Sequence, residues 1–137
     1  MMRRATQIAL VALALGLIAP PSSAERNLVP SLERSHDVCS DRPAEPDWMR
    51  NIALRNAYQR VLVQDIYRAQ NLERIVETGT CPCDVRFPAW DGAEATFREN
   101  HATATRWEMI EASDTYNRRA NKLRPQAEAI CEEAGNW

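Results

Sequence analysis

A stretch rich in turn-forming residues, residues 78–92, divides this chain and limits what it can fold into. It contains two glycines, two prolines and two of the four cysteines, whereas residues 47–77 contain neither glycine nor proline. Glycine favours left-handed turns and proline cannot continue a helix, so both residue types tend to end helices. We therefore interpret residues 78–92 as a connector between two antiparallel helices, closed by a disulfide bond.

The first residues of the chain predict export from the cytoplasm. Arg3 and Arg4 are followed by an apolar run over residues 8–18 and by small residues at 22–24. This order is typical of a secretory signal peptide, here residues 1–24. The alternative is a retained membrane anchor, but the run is shorter than the roughly 20 apolar residues that cross a bilayer. We expect a periplasmic or secreted protein with no stable membrane insertion after cleavage.

The charge balance of the exported chain excludes several classes of partner. Removing the signal peptide, with Arg3 and Arg4, leaves 15 of the 17 basic side chains against 19 acidic ones. A nucleic-acid-binding domain would need a basic stripe, and anionic lipid attracts basic segments rather than acidic chains. We therefore expect a protein partner or a homodimer, and no nucleic acid.

Four cysteines in an exported chain indicate two disulfide bonds, because export leads to an oxidising compartment. A zinc site is not indicated, since there is no pair of CxxC units and only His36 and His101 could add nitrogen ligands. The sequence Glu99-Asn100-His101 also lacks the Glu-x-x-His spacing of carboxylate-bridged metal bundles. We expect neither a metal nor a cofactor.

The first long helix is predicted directly after a proline-interrupted, extended segment over residues 25–46. Asp47 can cap a helix that runs to about Glu77, and Gly79 can end it in the left-handed conformation. Apolar residues recur on one face with the helical period: Leu54, Tyr58, Val61, Leu62, Ala69, Leu72, Ile75 and Val76.

A second helix is predicted over residues 91–122, opened by a capping box of Asp91 and Glu94. The residues expected on its inward face are Phe97, His101, Ala104 or Thr105, Met109, Ala112, Tyr116, Ala120 and Leu123. A short third helix is expected over residues 125–134, because proline is tolerated only in the first turn of a helix. Gly135 can end it.

The predicted fold is all-α: a long antiparallel helical hairpin with a short C-terminal helix, stapled by disulfides, over residues 47–137. In such a hairpin, Cys39 and Cys131 lie at the same end. Cys81 and Cys83 lie about 45 Å away at 1.5 Å per residue, beyond the roughly 28 Å that an extended segment between Cys39 and the helix can span. We therefore predict a Cys39–Cys131 disulfide, with Cys81 and Cys83 paired to each other or to a partner chain.

One polar residue is predicted on the apolar face of the first helix. Asp65 falls near the centre of that face, and a buried carboxylate needs a partner. Equal distances from the connector place His101 within one turn of Asp65, so we predict a buried polar pair with a structural role. A local contact of Asp65 with Arg68, three residues further on, is the alternative.

The connector also supplies the candidate contact surface. Arg86, Phe87 and Trp90 lie within it, and Trp137 follows the predicted third helix. Arginine and aromatic residues are enriched at interface hot spots, and two prolines restrict the unbound conformations of the connector. We predict a partner-binding surface of these four residues. The alternative is that Phe87 and Trp90 only close the end of the helix pair.

The functional hypothesis that follows is a non-enzymatic one. We interpret the chain as an interaction module or accessory subunit of a bacterial envelope assembly, such as a secretion or conjugation apparatus. The first alternative is a thiol–disulfide protein that uses Cys81 and Cys83, and the second is a periplasmic chaperone or inhibitor. Because Ile52, Val63 and Tyr67 lie off the apolar stripe, we expect an exposed apolar surface that a second copy or a stable partner covers.

Overall fold

The computed structural model of the chain describes residues 39–137. The predicted signal peptide, and the predicted extended segment up to residue 38, lie outside the described residues. Residues 39–46 contain neither helix nor strand. Most of the remaining described residues are helical and none lies in a strand, which confirms the all-α prediction.

Five helices and one 3₁₀ turn make up the described chain. They are α1 (Asp47–Arg50), the 3₁₀ turn Leu54–Asn56, α2 (Ala57–Thr78), α3 (Cys83–Arg86), α4 (Asp91–Asn100) and α5 (Arg106–Glu133). The prediction of one continuous helix from Asp47 to Glu77 is wrong. Asn51 closes α1 by donating both its backbone N–H and its side-chain amide to the carbonyl oxygen of Asp47, at 3.0 and 2.9 Å. An asparagine side chain that bonds nearby backbone in this way competes with helix continuation.

The predicted second helix is also broken, at residues 101–105. Thr105 opens α5 with a capping box: its hydroxyl accepts from the N–H of Glu108 at 3.3 Å, and the Glu108 carboxylate accepts from the N–H of Thr105 at 2.7 Å. The capping box predicted at Asp91 is wrong, since α4 has no side-chain cap. Glu94 instead accepts a hydrogen bond from the Trp48 indole N–H at 2.6 Å.

The predicted third helix over residues 125–134 is wrong, because α5 continues through Pro125. Proline removes one backbone hydrogen bond from a helix interior and disfavours the preceding turn. Here Ala120 and Ala127, before and after Pro125, are both fully buried in the same core cluster. Packing on both sides therefore outweighs the local cost of the proline.

Both predicted glycine stops are confirmed. Gly79 ends α2 with φ of 65°, and its N–H donates to the carbonyl oxygen of Ile75 at 2.9 Å. Gly135 follows α5 with φ of 73°, and its N–H donates to the carbonyl oxygen of Glu132 at 3.0 Å. A left-handed residue after a helix satisfies carbonyl groups that the helix leaves unpaired.

The two long helices, α2 and α5, run parallel, so the predicted antiparallel hairpin is wrong. Residues that contact each other across them keep a nearly constant separation in sequence: 48 residues for Asp65 and Ser113, and 49 for Arg68 and Asn117. In an antiparallel pair this separation would change by two residues for each step along one helix. Parallel packing places the C-terminal ends of α2 and α5 at the same end of the fold.

Helix α4 follows α2 and precedes α5 in the sequence, and it carries the chain back towards the start of α2. The middle of α4 lies at Gln70, whose side-chain amide donates to the Thr96 hydroxyl at 2.8 Å. Its last turn lies nearer the start of α2, where Phe97 and Arg98 share a surface pocket with Gln59. The α4 helix therefore runs in the opposite direction to α2, and the turn over residues 101–105 reverses the chain again.

The core consists of two clusters of buried side chains that meet at Tyr116. Helix α2 packs against both α4 and α5, so its buried face is wider than the single stripe predicted. Val63, predicted to lie off the stripe, is fully buried. In contrast, Leu54 is 91% exposed because it lies in the 3₁₀ turn before α2, and Val61 of α2 is exposed as well, so neither belongs to the buried face predicted for them.

We expect Thr105→Ala to lower the free energy of unfolding by about 0.5–2 kcal/mol, because it removes the acceptor at the start of α5. Urea unfolding followed by circular dichroism measures this change. Thr103→Ala is the matched control, since Thr103 is exposed in the same turn and caps no helix. Equal losses for the two variants would contradict a capping role of Thr105.

Candidate binding site

The two disulfides link the connector to both ends of the described chain. They join Cys39 to Cys83 and Cys81 to Cys131. All four cysteines are paired as predicted, but the predicted pairings are wrong. Cys131 reaches Cys81 because parallel packing places the end of α5 beside the end of α2.

Cys39 reaches Cys83 because residues 39–46 lie along the side of α2, with Cys39 at the connector and Glu45 beside the first turns of the helix. Glu45 accepts hydrogen bonds from the Arg60 guanidinium at 2.6 and 3.1 Å, and Pro43 accepts one from the Trp90 indole at 3.3 Å. The distance argument against this pairing assumed one continuous helix from Asp47. The long helix begins at Ala57 instead, so the distance between Cys39 and the connector is shorter than the one predicted.

A ladder of cations and rings forms where these segments meet. We call Arg42, Phe87, Arg86, Trp137 and Arg124, in that spatial order, the arginine–aromatic cluster. The guanidinium carbon of Arg86 lies 4.9 Å from the Phe87 ring centre and 4.8 Å from that of Trp137. Arg42 lies 5.3 Å from Phe87, and Arg124 lies 5.7 Å from Trp137. These distances are within the range of cation–π attraction.

Covalent and hydrogen bonds position the cluster. Helix α3, which begins after Pro82, carries Arg86 in its last turn, and the Cys39–Cys83 disulfide attaches α3 to the segment that carries Arg42. The side-chain amide of Asn136 donates to the carbonyl oxygen of Cys81 at 2.6 Å, which holds the residue before Trp137 against the connector. The cluster is therefore built from three parts of the chain.

An open groove lies beside the cluster, with a cavity volume of about 340 Å³. The residues that line it are Tyr67, Arg68, Asn71, Leu72, Ile75, Arg86, Phe87, Arg124 and Trp137. Leu72 and Ile75 are buried core residues of α2. Asn71 is only 7% exposed, and its Oδ1 atom has no hydrogen-bond partner among the described residues.

The electrostatics of the groove are one-sided, because three arginines and no carboxylate line it. Arg68 donates to the amide oxygens of Asn117 and Asn121 at 3.1 and 2.7 Å, which leaves its charge uncompensated. Burial, and then the nearby Arg42 charge, lower the pKa of the Arg86 guanidinium. An arginine stays protonated despite such a shift, so the groove carries excess positive charge.

Of the four predicted contact residues, Arg86, Phe87 and Trp137 lie together, whereas Trp90 packs against the core. The Trp90 ring stacks on Tyr67 with 3.8 Å between ring centres, and it packs against one of the two core clusters. The Tyr67 hydroxyl donates to the carbonyl oxygen of Pro88 at 2.7 Å, and burial raises its pKa. Sequence reasoning missed Arg42 and Arg124, since isolated arginines carry no local signal of a shared site.

The predicted Asp65–His101 pair is wrong. Asp65 accepts a short hydrogen bond from the hydroxyl of Ser113, a buried residue of α5. His101 ends α4, lies edge-on to the Tyr116 ring, and its buried Nε2 atom has no hydrogen-bond partner among the described residues. The turn after α4 changes the register, so Ser113 reaches the level of Asp65 and His101 does not.

The local Cys81–Cys83 disulfide needed for the redox alternative is absent. Cys81 is 2% exposed and Cys131 fully buried, and Cys83 bonds a cysteine 44 residues away. Two disulfides indicate an oxidising compartment. Within residues 39–137, no three His, Cys, Asp or Glu side chains are placed to hold a metal ion. In the same range, every helix is too short or too polar to span a bilayer.

We expect a mild dithiol to reduce Cys39–Cys83 before Cys81–Cys131, because thiol exchange needs access to a sulfur atom. Cys83 is exposed, whereas Cys81 and Cys131 are buried. Alkylation of the folded protein during reduction, followed by peptide mass mapping, measures the order. Reduction in denaturant is the control that labels all four cysteines. Simultaneous or reversed reduction in the folded state would show that exposure does not set the order.

The pH dependence of stability should report on His101. Burial lowers its pKa, so the unfolded chain takes up the proton more readily than the folded one. The free energy of unfolding should therefore fall as the pH drops below about 6.5, the pKa of an unfolded histidine. Denaturant unfolding between pH 7.5 and 5.5, a range chosen above the pKa of ordinary carboxylates, measures this slope. It should flatten in His101→Phe; an unchanged slope in that variant would contradict the assignment.

Comparison with known proteins adds no assignment to this geometry. Searches against protein-family models, characterised proteins and solved structures found no significant match.

Proposed function

We propose that the chain is an exported, non-enzymatic interaction module that binds a protein partner through the arginine–aromatic cluster. The observation that carries the proposal is the position of Arg86 over both the Phe87 and Trp137 rings, beside an open groove. Tryptophan and arginine are the residue types most enriched among interface hot spots. A role as accessory subunit of a bacterial envelope assembly, such as a secretion or conjugation apparatus, is consistent with the two disulfides.

The rigidity of the cluster supports a binding role. Two disulfides and the hydrogen bond from Asn136 restrain all three segments that contribute to it. A surface that is already ordered loses little conformational entropy when it binds. Stacking also restrains the Arg86 side chain, which would otherwise lose many rotamers on binding.

The lining of the groove supports binding rather than catalysis. Among the described residues that line it, none is a serine, threonine, cysteine, histidine, aspartate or glutamate. A hydrolytic or acyl-transfer site needs a nucleophile with a nearby base. A periplasmic chaperone or inhibitor remains the alternative. A small groove with three arginines suits one specific partner better than many unfolded ones.

A homodimer is the second candidate, and a separate set of residues favours it. Leu54 is 91% exposed and lies just before α2. Trp107 is 67% exposed and lies in the first turn of α5. The cluster lies at the C-terminal ends of the same helices. A homodimer through Leu54 and Trp107 would thus leave the cluster open for a different partner.

We expect the double variant Arg86→Ala/Trp137→Ala to lose its protein partner while it stays folded. Trp137 is only partly buried, so the melting temperature should fall by no more than about 4–8 °C, the shift that ~1 kcal/mol causes in a domain of this size. Cross-linking in the cells that produce the protein, with circular dichroism of the purified variant, measures both properties.

The matched control is Arg55→Ala/Trp107→Ala, which removes one exposed arginine and one exposed tryptophan outside the cluster. This control should keep the cross-link to the different partner, whether or not it weakens a homodimer through Trp107. A cluster variant that keeps the cross-link, or a control variant that loses it, would place the contact surface elsewhere and contradict the proposal.

A further inference from the structure

The three arginines of the groove point to a particular kind of partner. We propose that the groove binds a carboxylate attached to a flat apolar group of the partner polypeptide, an inference that rests on the proposed function of the cluster. The carboxylate could be the C-terminal one of a chain that ends in an aromatic residue. It could also belong to an aspartate or glutamate beside an aromatic residue. Both sources present the same chemistry.

Charge complementarity is the first argument for this ligand. Arg86 forms no ion pair among residues 39–137, and Arg68 bonds only to neutral amide oxygens. Arg124 forms an exposed salt bridge with Glu128 at 3.4 Å, so Arg68 and Arg86 are the two groove arginines without an acidic partner among the described residues. Guanidinium groups form strong, often bidentate hydrogen bonds to carboxylates. A carboxylate from outside would thus supply the negative charge that the chain itself does not place in the groove.

The apolar floor and walls of the groove are the second argument. Leu72 and Ile75 lie beneath it, and the rings of Phe87 and Trp137 border it. Its volume of about 340 Å³ is at the lower end of the range of small-ligand sites. This space suits one flat side chain with its adjoining backbone. The ligand therefore needs an apolar group as well as a charge.

The charge of the whole chain argues against polyanions. The net charge is −2, so long-range attraction to a nucleic acid or an anionic membrane is weak. A single carboxylate depends on the local field of the three arginines and not on the net charge. The groove is therefore better matched to an acidic peptide than to a phosphate polymer.

The side-chain oxygen of Asn71, which has no hydrogen-bond donor among the described residues, agrees with a peptide ligand. Its Oδ1 atom is buried at the edge of the groove without a hydrogen-bond donor among the described residues. A buried acceptor without a donor destabilises a folded chain. A peptide N–H next to the carboxylate could satisfy it after a small rotation of the Asn71 side chain. Inorganic anions offer no such combination of charge, ring and N–H.

Isothermal titration calorimetry with three synthetic peptides tests the proposal on the full exported chain. The probes are acetyl-Gly-Phe as the free acid, the same peptide as its C-terminal amide, and acetyl-Glu-Phe amide. We expect at least one of the two carboxylate peptides to bind at least tenfold more tightly than acetyl-Gly-Phe amide. Binding of the free acid would identify a C-terminal carboxylate, and binding of the glutamyl peptide an internal one. Equal affinity for all three peptides would overturn the inference.

Two variants and a competitor locate the binding. Arg86→Gln should weaken the carboxylate peptides at least tenfold and leave the amide peptide unchanged, and Arg68→Gln is a second variant in case Arg86→Gln does not fold. Arg118→Gln is the matched control, because Arg118 is an exposed arginine of α5 that does not line the groove. Inorganic phosphate should compete only weakly. Competition at the same concentration as the peptide would show that any anion suffices and would overturn the inference.

The result also separates this inference from the proposed function. If acid and amide peptides bind alike while the partner cross-link still requires Arg86 and Trp137, the proposed function stands and the carboxylate specificity fails. If the cross-link does not require these residues, the proposed function fails whatever the peptides show.

Discussion

The parallel packing of α2 against α5 is the constraint on which the rest of the structure depends. It places the connector after α2 and the last residues of α5 at one end of the fold. Cys81 can therefore bond Cys131, and Asn136 can bond the backbone of Cys81. In an antiparallel arrangement, Trp137 and Arg86 would lie at opposite ends and would form no common surface.

This arrangement depends in turn on a short return helix. Helix α4 has 10 residues, against 22 in α2 and 28 in α5. It carries the chain back towards the start of α2, and the Thr105–Glu108 capping box then starts α5 in the original direction. A capped helix start satisfies backbone donors that would otherwise lack partners, so the chain can reverse there at low cost.

The arginine–aromatic cluster shows how such a fold can create a site from residues that are distant in sequence. Arg42, Arg86 and Arg124 come from three segments, and each stacks on a ring supplied by a neighbouring segment or residue. Stacking on aromatic rings compensates part of the repulsion between like charges. The remaining positive charge faces a groove without carboxylates, and this combination supports a role in binding.

The sequence by itself determined the features that depend on local backbone chemistry. The helical class, the stops at Gly79 and Gly135, and the pairing of all four cysteines follow from residue type and order. The residue types at Arg86, Phe87, Trp90 and Trp137 led to the prediction of a contact surface, and three of these four residues lie together in the structure. These signals act within a few residues, so one sequence without a structure is enough to recognise them.

Only the tertiary structure decided where the second helix is interrupted, and this sets its direction and the disulfide pairing. The Asp91/Glu94 and Thr105/Glu108 pairs have the same local capping pattern, yet only the second forms a box. Trp90 and not Asp91 holds the cap position of α4, and Glu94 bonds Trp48 from α1. Pro125 likewise stays inside a helix because residues on both sides of it are packed in the core. Contacts between distant segments outweigh local preferences of about 1–3 kcal/mol, and such contacts are not visible in a local pattern.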